Sequence, residues 1–421
     1  MRWTTCIFLI AVLVLPLAVF GQRAGANARP KLIVLITVDQ FRGDLLERYD
    51  KVFTDGFRRL LDTGYRYTRA TVDHAPTNSY PGHVTIATGS MPARHGIIDN
   101  SWVERVGDKP AMTGGADDAG EKIVGFPKMQ GVSPSKLMVT GLADWVLAQD
   151  KDAVAACISS NEYGSLLHSG KARGHTYWFS PEAGKYVTST YYRGDYPAWV
   201  ERFNSEKLPL YINQKTWQST VPEKWKKLAL PDAAAYEFDG TNNIFPHVFE
   251  KEAPRERVND PQALADWFYF SPFTDEAAIA LTQNAVSELK LGQRDPTDYL
   301  SLTLGSTDSI GHRFGPLSLE QLDNLMRLDR ELDKLFKFLD TRVGAGKYLV
   351  AITGDHGASD IPEHQIEKGI KAFRVSAANM DAVLEEAGKY ASTAPPDTTP
   401  EKVRAEIARI AEKYPFIGNA I

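Results

Sequence analysis

Four short apolar runs punctuate the chain, each ending in small or acidic residues: KLIVLITVD at 31–39, DAVAACIS at 152–159, YLSLTLG at 299–305 and KYLVAITGD at 347–355. A near-continuous apolar run, without the alternation that leaves one face wet, is the pattern of a strand buried on both faces of a mainly parallel sheet. Between these runs the period changes. Residues 318–340 (SLEQLDNLMRLDRELDKLFKFLD) repeat Leu, Met and Phe every three or four positions, and 274–290 does the same, so both predict amphipathic helices. Strands alternating with helices predict an α/β sandwich with a central mainly parallel sheet and helices on both faces. A shorter helix is expected over 80–88, with Pro81 in its first turn.

Residues 174–272 break the pattern. They are rich in Tyr, Trp, Pro and Asn, show one short β pattern at His175–Phe179 and have little helical period. This predicts an inserted cap on the sandwich. Residues 391–400 (ASTAPPDTTP) predict an exposed loop before a last helix.

Composition narrows the function classes. The chain has 421 residues, 43% of them hydrophobic and 24% charged, with a formal charge of -5. That is enough apolar material for a large core, and it offers no basic surplus to attract a nucleic-acid partner. The N-terminus reads as a signal peptide over 1–21: Arg2, an uncharged run from Cys6 to Phe20, then small residues. An exported protein of the periplasm follows, with residues 22–421 as one catalytic domain and no membrane span after cleavage. Cleavage would leave Cys157 as the single cysteine, so stability must come from the core.

The strand ends carry the candidate chemistry. Ligands of open α/β sheets bind beyond the carboxyl ends of the strands. There the first run ends in Asp39, the third leads into GSTDSIGHRFGP with Asp308 and His312, and the fourth ends in TGDHG with Asp355 and His356. A strand-end Asp by itself is commonly a turn former or helix cap, and Asp308 with His312 fits an ordinary pair on one helix face. Two Asp/His pairs and a further Asp at one sheet edge instead point to a divalent metal site.

Four stretches, VDQFRGD, TNSYPGHVTIATGSMPARHGI, STDSIGHRFGP and TGDHG, together resemble the alkaline phosphatase superfamily. The likeness is to its threonine-nucleophile alkaline phosphatases and type I phosphodiesterase relatives, and it runs from about Lys31 to the end. The resemblance implies hydrolysis of small-molecule phosphoric esters through a phosphothreonine at Thr77, with two zinc ions. It assigns Asp39, Thr77, Asp355 and His356 to one zinc, Asp308 and His312 to the other, and Asn100 to a phosphoryl oxygen. His74, His83 and His95 are expected to be structural, with His83 behind the ligands if it approaches the metals at all.

Two departures accompany the resemblance. Threonine-type monoesterases usually carry Lys-Asp-Arg after the strand that follows the nucleophile, whereas this chain has Asn161, Glu162 and Tyr163, with Lys171 and Arg173 further on. Asn161 and Tyr163 thus become the expected substrate-binding residues, and diesters the expected preference, because a monoester dianion needs those cations most. The second zinc normally takes a late histidine, and after His356 this chain has only His364, so part of the C-terminal fold is expected to be missing. The alternatives are a type I phosphodiesterase or nucleotide pyrophosphatase, and a truncated inactive binding protein with a degenerate metal site.

Overall fold

The computed structural model describes residues 29–75, 77–106, 109–238 and 240–418. The expected signal peptide lies outside them. In chain order the strands are β1 (Leu32–Val38), β2 (Ser101–Val106), β3 (Lys109–Gly114), β4 (Ala155–Ser159), β5 (His175–Ser180), β6 (Lys185–Val187), β7 (Thr216–Trp217), β8 (His247–Val248), β9 (Asp298–Leu304) and β10 (Tyr348–Thr353). Six of them form one sheet in the order β10-β1-β9-β4-β5-β6, with β2-β3 and β7-β8 as separate pairs. All neighbours in the large sheet are parallel except the terminal β5-β6 pair.

The apolar runs sort themselves by strand alternation. Leu32, Val34, Ile36 and Val38 of β1, with Leu300, Leu302 and Leu304 of β9, point into the main core. There they meet the helices Gly56–Thr63, Phe273–Glu288 and Leu319–Leu339. Leu35, Tyr299, Ala155 and Cys157 point the other way, onto helix Leu142–Gln149. Both faces of the central strands are thus covered, which is why the sequence needed no polar alternation there.

Two expectations need adjustment. The cap expected from residue 174 begins inside the sheet: β5 and β6 extend it, and Trp199, Phe203, Leu208, Trp217 and Phe249 from the same stretch share the main core. Aromatic side chains without helical period were read as a cap, yet each buries a large apolar area against the sheet. Strand β10, expected to be buried on both faces, is an edge strand with Leu349 and Ala351 exposed. The helices Ala377–Thr393 and Pro400–Ala411 follow it. Among the described residues no helix is long and apolar enough to cross a membrane.

Candidate metal centre

The parallel strands deliver their following residues to one edge. Asp39 follows β1, helix Ser306–Phe314 starts just after β9 and carries Asp308 and His312, and Asp355-His356 follow β10. Helix Ser79–Thr88 closes the edge from the side. Its approach is set by Gly82, where a Cβ would meet the carbonyl oxygen of Asp355 at 2.8 Å.

The acidic and imidazole groups form one continuous cluster. His356 Nε2 lies 3.4 Å from Asp39 Oδ1, 3.6 Å from Asp355 Oδ2 and 3.9 Å from Asp308 Oδ1. His312 Nε2 is 3.2 Å from Asp308 Oδ1, the i,i+4 pairing on one helix face, and its own side chain is largely exposed. His83 Nε2 reaches Asp355 Oδ2 at 3.4 Å and Asp39 Oδ2 at 3.7 Å from the buried side. Two groups have ligand atoms close enough to share one ion: Asp39, Asp308 and His356, and Asp39, His83 and Asp355.

These carboxylates stand at the wrong distances to be comfortable alone. Asp39 and Asp355 are both buried, yet Asp39 Oδ1 and Asp355 Oδ2 have no hydrogen-bond partner among the described residues. Burial opposes the Asp39 charge, but the imidazoles of His356 and His83 beside it, and then the Tyr163 hydrogen bond, hold its carboxyl well below the usual range. Asp355 is pushed up to about 7 by burial and by the Asp39 charge. Burial works against a cationic His356, but Asp39 and Asp355 raise it to about 10. Unpartnered buried oxygens from two acids, joined by imidazoles, are the donor set a divalent ion fits.

The other side of Asp39 is filled by protein. Its Oδ2 accepts from Tyr163 Oη at 2.6 Å and from Asn161 Nδ2 at 3.3 Å. Asn161 also caps helix Glu162–His168 by accepting from Gly164 N–H. Both residues expected to meet substrate are therefore already engaged with Asp39. Glu162 accepts from Tyr80 Oη at 2.7 Å and is raised by burial and by Asp117. Lys171 and Arg173 lie beyond the far end of that helix, where the Arg173 guanidinium rests 4.9 Å from the Tyr191 ring centroid.

Thr77 ends the loop that enters helix Ser79–Thr88 and is exposed. Two residues on, the Ser79 hydroxyl is 3.2 Å from His356 Nε2. Asn78 donates to Asp99, and the exposed Asn100 accepts the Tyr80 N–H at 3.0 Å, leaving its own amide hydrogens as donors. His95 packs away from the cluster, 3.3 Å from the Thr85 hydroxyl.

The residue that sequence reasoning missed outright is Gln40. Its backbone N–H donates to Asp355 Oδ1 at 3.0 Å and its side-chain amide to Asp308 Oδ1 at 2.7 Å, so one residue ties two strand ends together. To do so it adopts φ 61°, a left-handed conformation costly for a non-glycine residue. Its position directly after a strand-end Asp was the only available signal.

Residues 33–416 match the family described as type I phosphodiesterase / nucleotide pyrophosphatase. The chain belongs to that family. Among curated relatives it is 35% identical over 341 residues to alkaline phosphatase PhoV of Synechococcus elongatus, covering 80% of this chain and 60% of the relative. It is 33% identical over 359 residues to alkaline phosphatase PafA of Elizabethkingia meningoseptica, covering 84% and 64%. The chain thus spans less than two thirds of the length of these relatives. The crystal structure of wild-type PafA superposes with a TM-score of 0.82 at 29% identity, over 93% of this chain and 78% of that one. The sandwich is therefore the alkaline phosphatase fold.

Proposed function

We propose that this protein is a zinc-dependent phosphoric ester hydrolase that works through a phosphothreonine at Thr77 and prefers diesters to monoesters. The observation that carries the reading is the Asp39, Asp308, Asp355 and His356 cluster, with its unpartnered buried oxygens at the carboxyl edge of a parallel sheet. Asp39, Asp355 and His356, with the Thr77 hydroxyl, would hold one zinc, and Asp308 with His312 the other. Bound zinc supplies Lewis acidity, which lowers the pKa of a coordinated hydroxyl or water.

The chain's own residues then divide the work. The Thr77 oxygen attacks phosphorus, the leaving alcohol departs from the opposite face, and water later cleaves the Thr77 phosphoester. Asn100 donates its amide hydrogens to a phosphoryl oxygen. Tyr163 and Asn161 act through Asp39, whose Oδ2 they occupy so that Oδ1 stays available.

The diester preference rests on charge. Where monoesterases of this type carry two cations, this chain has an amide and a phenol already bonded to Asp39, with the Glu162 carboxyl between them. A monoester dianion finds no cation there, while a diester with one charge needs none. The names alkaline phosphatase, carried by the relatives, and phosphodiesterase, carried by the family, both support phosphoric ester hydrolysis. We place the protein in the periplasm on the strength of residues 1–21.

The test compares kcat/KM for an aryl phosphodiester and an aryl phosphate on the zinc-loaded chain and on Thr77→Ala. The expected result is a higher value for the diester, and a loss on the order of 10³-fold or more in the variant, as for other covalent nucleophiles. A monoester preference overturns the specificity, and undiminished Thr77→Ala overturns the nucleophile. The Asp308–His312 pair, whose imidazole is largely exposed, favours a second reading, a metal-binding protein without turnover, which absence of both activities would support.

A further inference from the structure

Behind the acidic cluster lies a feature that the hydrolytic chemistry does not use. His83 and His168 are both fully buried, with His83 Nδ1 at 3.0 Å from His168 Nε2. The other nitrogen of His83 faces Asp355 Oδ2 at 3.4 Å and Asp39 Oδ2 at 3.7 Å. The two acids come from different strands, β1 and β10, and His83 is one group that faces both from the protein interior.

We propose that His83 and His168 form a positioning pair, in which His168 fixes the ring of His83 so that its Nε2–H holds the Asp39 and Asp355 carboxylates in register for the metal. The inference rests on the metal-site reading given above. The carboxylates of Asp39 and Asp355 stand before Nε2, which has no hydrogen-bond partner among the described residues, so the hydrogen is assigned to this nitrogen, within reach of both. A neutral ring then offers Nδ1 as an acceptor, and His168 Nε2–H is the donor that meets it. His168 comes from the C-terminal end of helix Glu162–His168, whose N-terminal cap Asn161 donates to the same Asp39 oxygen. One short helix therefore supports Asp39 directly through Asn161 and Tyr163, and indirectly through His168 and His83.

Geometry also limits the alternatives. Asp39 Oδ2 already takes donors from Tyr163 and Asn161, while the unpartnered Asp39 Oδ1 turns toward His356. Asp355 Oδ2, also without a described partner, stands 3.6 Å from His356 Nε2 and 3.4 Å from His83 Nε2, so His356 flanks the carboxylates on one side and the fully buried His83 on the other. Outer groups of this kind orient metal ligands, and their loss typically weakens metal binding by 10- to 100-fold.

The test uses the full chain and measures zinc dissociation constants by chelator competition. His168→Leu, which removes the donor but keeps bulk, should weaken zinc about tenfold, and His168→Gln, which restores a donor, should stay within about threefold of wild type. A second measurement avoids any variant: nitrogen NMR of the zinc-loaded wild type should show His83 as the Nε2-protonated tautomer without a metal-bound shift. A metal-shifted Nε2 overturns the proposal by making His83 a ligand, and so does a His168→Leu affinity equal to wild type. Asp39→Asn separates the two failures. If that variant keeps its zinc, the metal-site reading falls; if it loses zinc while His168→Leu does not, only the positioning pair falls.

Discussion

Among the described residues, two buried clusters combine histidine with carboxylates, and they meet the same electrostatic problem differently. In the first, from the stretch expected to be a cap, His247 Nδ1 is 2.9 Å from Glu252 Oε1 and Nε2 is 3.1 Å from Glu320 Oε1. Both nitrogens are used. Burial opposes the cation, but Glu252 and Glu320 raise His247 to about 9, so it carries a charge that offsets one of theirs. Nearby Glu237 has no described partner and is pushed up to about 9 by burial and by Glu320, so it keeps its proton. A proton held on each of His247 and Glu237 reduces the negative charge of this cluster.

At the sheet edge that solution is incomplete. Asp39 stays ionised, Asp355 titrates near 7, and oxygens of both lack described partners, although three imidazoles stand close by. The difference teaches that buried His/Asp content does not by itself mark a metal site. Both clusters hold buried carboxylate oxygens without a described partner, and what distinguishes the edge is that three ligand atoms lie within 4.8 Å of one another in each of its two groups. Position agrees, since the first cluster is enclosed by core aromatics and the second reaches the surface at the largely exposed His312.

The sharpest way to break the comparison is to remove one of these ligands. Asp39→Asn should cut zinc affinity by on the order of 100-fold or more, because it deletes a charged ligand common to both groups. Equilibrium metal analysis checks this, and zinc retained at wild-type affinity would take that distinction away.

A next, smaller effect follows from the protons that the metal-free centre holds. Ligands must be deprotonated to bind, and His356 near 10 and Asp355 near 7 both hold protons at pH 6. Zinc affinity should therefore fall as pH drops from 8 to 6, with proton release on binding. Calorimetry in buffers of different ionisation enthalpy reads that release directly, and pH-independent binding would contradict it.

Specificity is the third test. Replacing Asn161→Lys together with Tyr163→Arg should raise the monoester-to-diester ratio of kcat/KM by about tenfold, whatever the total activity becomes, since it restores cations at the positions where monoesterases of this type carry them. An unchanged ratio would separate the Lys-Asp-Arg exchange from substrate choice.

The smallest expected effect concerns the His247 cluster. The folded state raises His247 from 6.5 to about 9, so the stability it adds is complete below about 6.5 and is lost as pH rises through about 9. Glu237 acts in the same direction: raised from 4.5 to about 9, it makes folding progressively less favourable as pH climbs across that interval. Wild type should thus lose Tm steadily from pH 6.5 to 9, and Glu237→Gln should lose less, which thermal scans at each pH would detect. Parallel slopes for both proteins would remove Glu237 from the account.

Much of this architecture was legible in the sequence, for reasons that particular residues make plain. Strands β1, β4, β9 and β10 announced themselves because buried parallel strands need unbroken apolar runs, and the acids after three of them met at one edge because parallel strands share a direction. The helix Leu319–Leu339 was legible from its Leu spacing. Side-chain partners across the sheet were not. Gln40, His168 and the Tyr163 bond to Asp39 join residues 85 to 315 positions apart or depend on a single left-handed backbone turn, and no local pattern encodes such meetings. The sheet strands β5 and β6 were hidden inside an aromatic-rich stretch because their burial comes from distant packing, not from their own periodicity.

The most direct test of the central claim is metal-dependent turnover of the purified chain. Chelation should abolish hydrolysis of an aryl phosphodiester, and zinc should restore it in the wild type but not in Asp39→Asn. Turnover that persists after complete metal removal, or a wild-type chain that binds no zinc, would contradict the account.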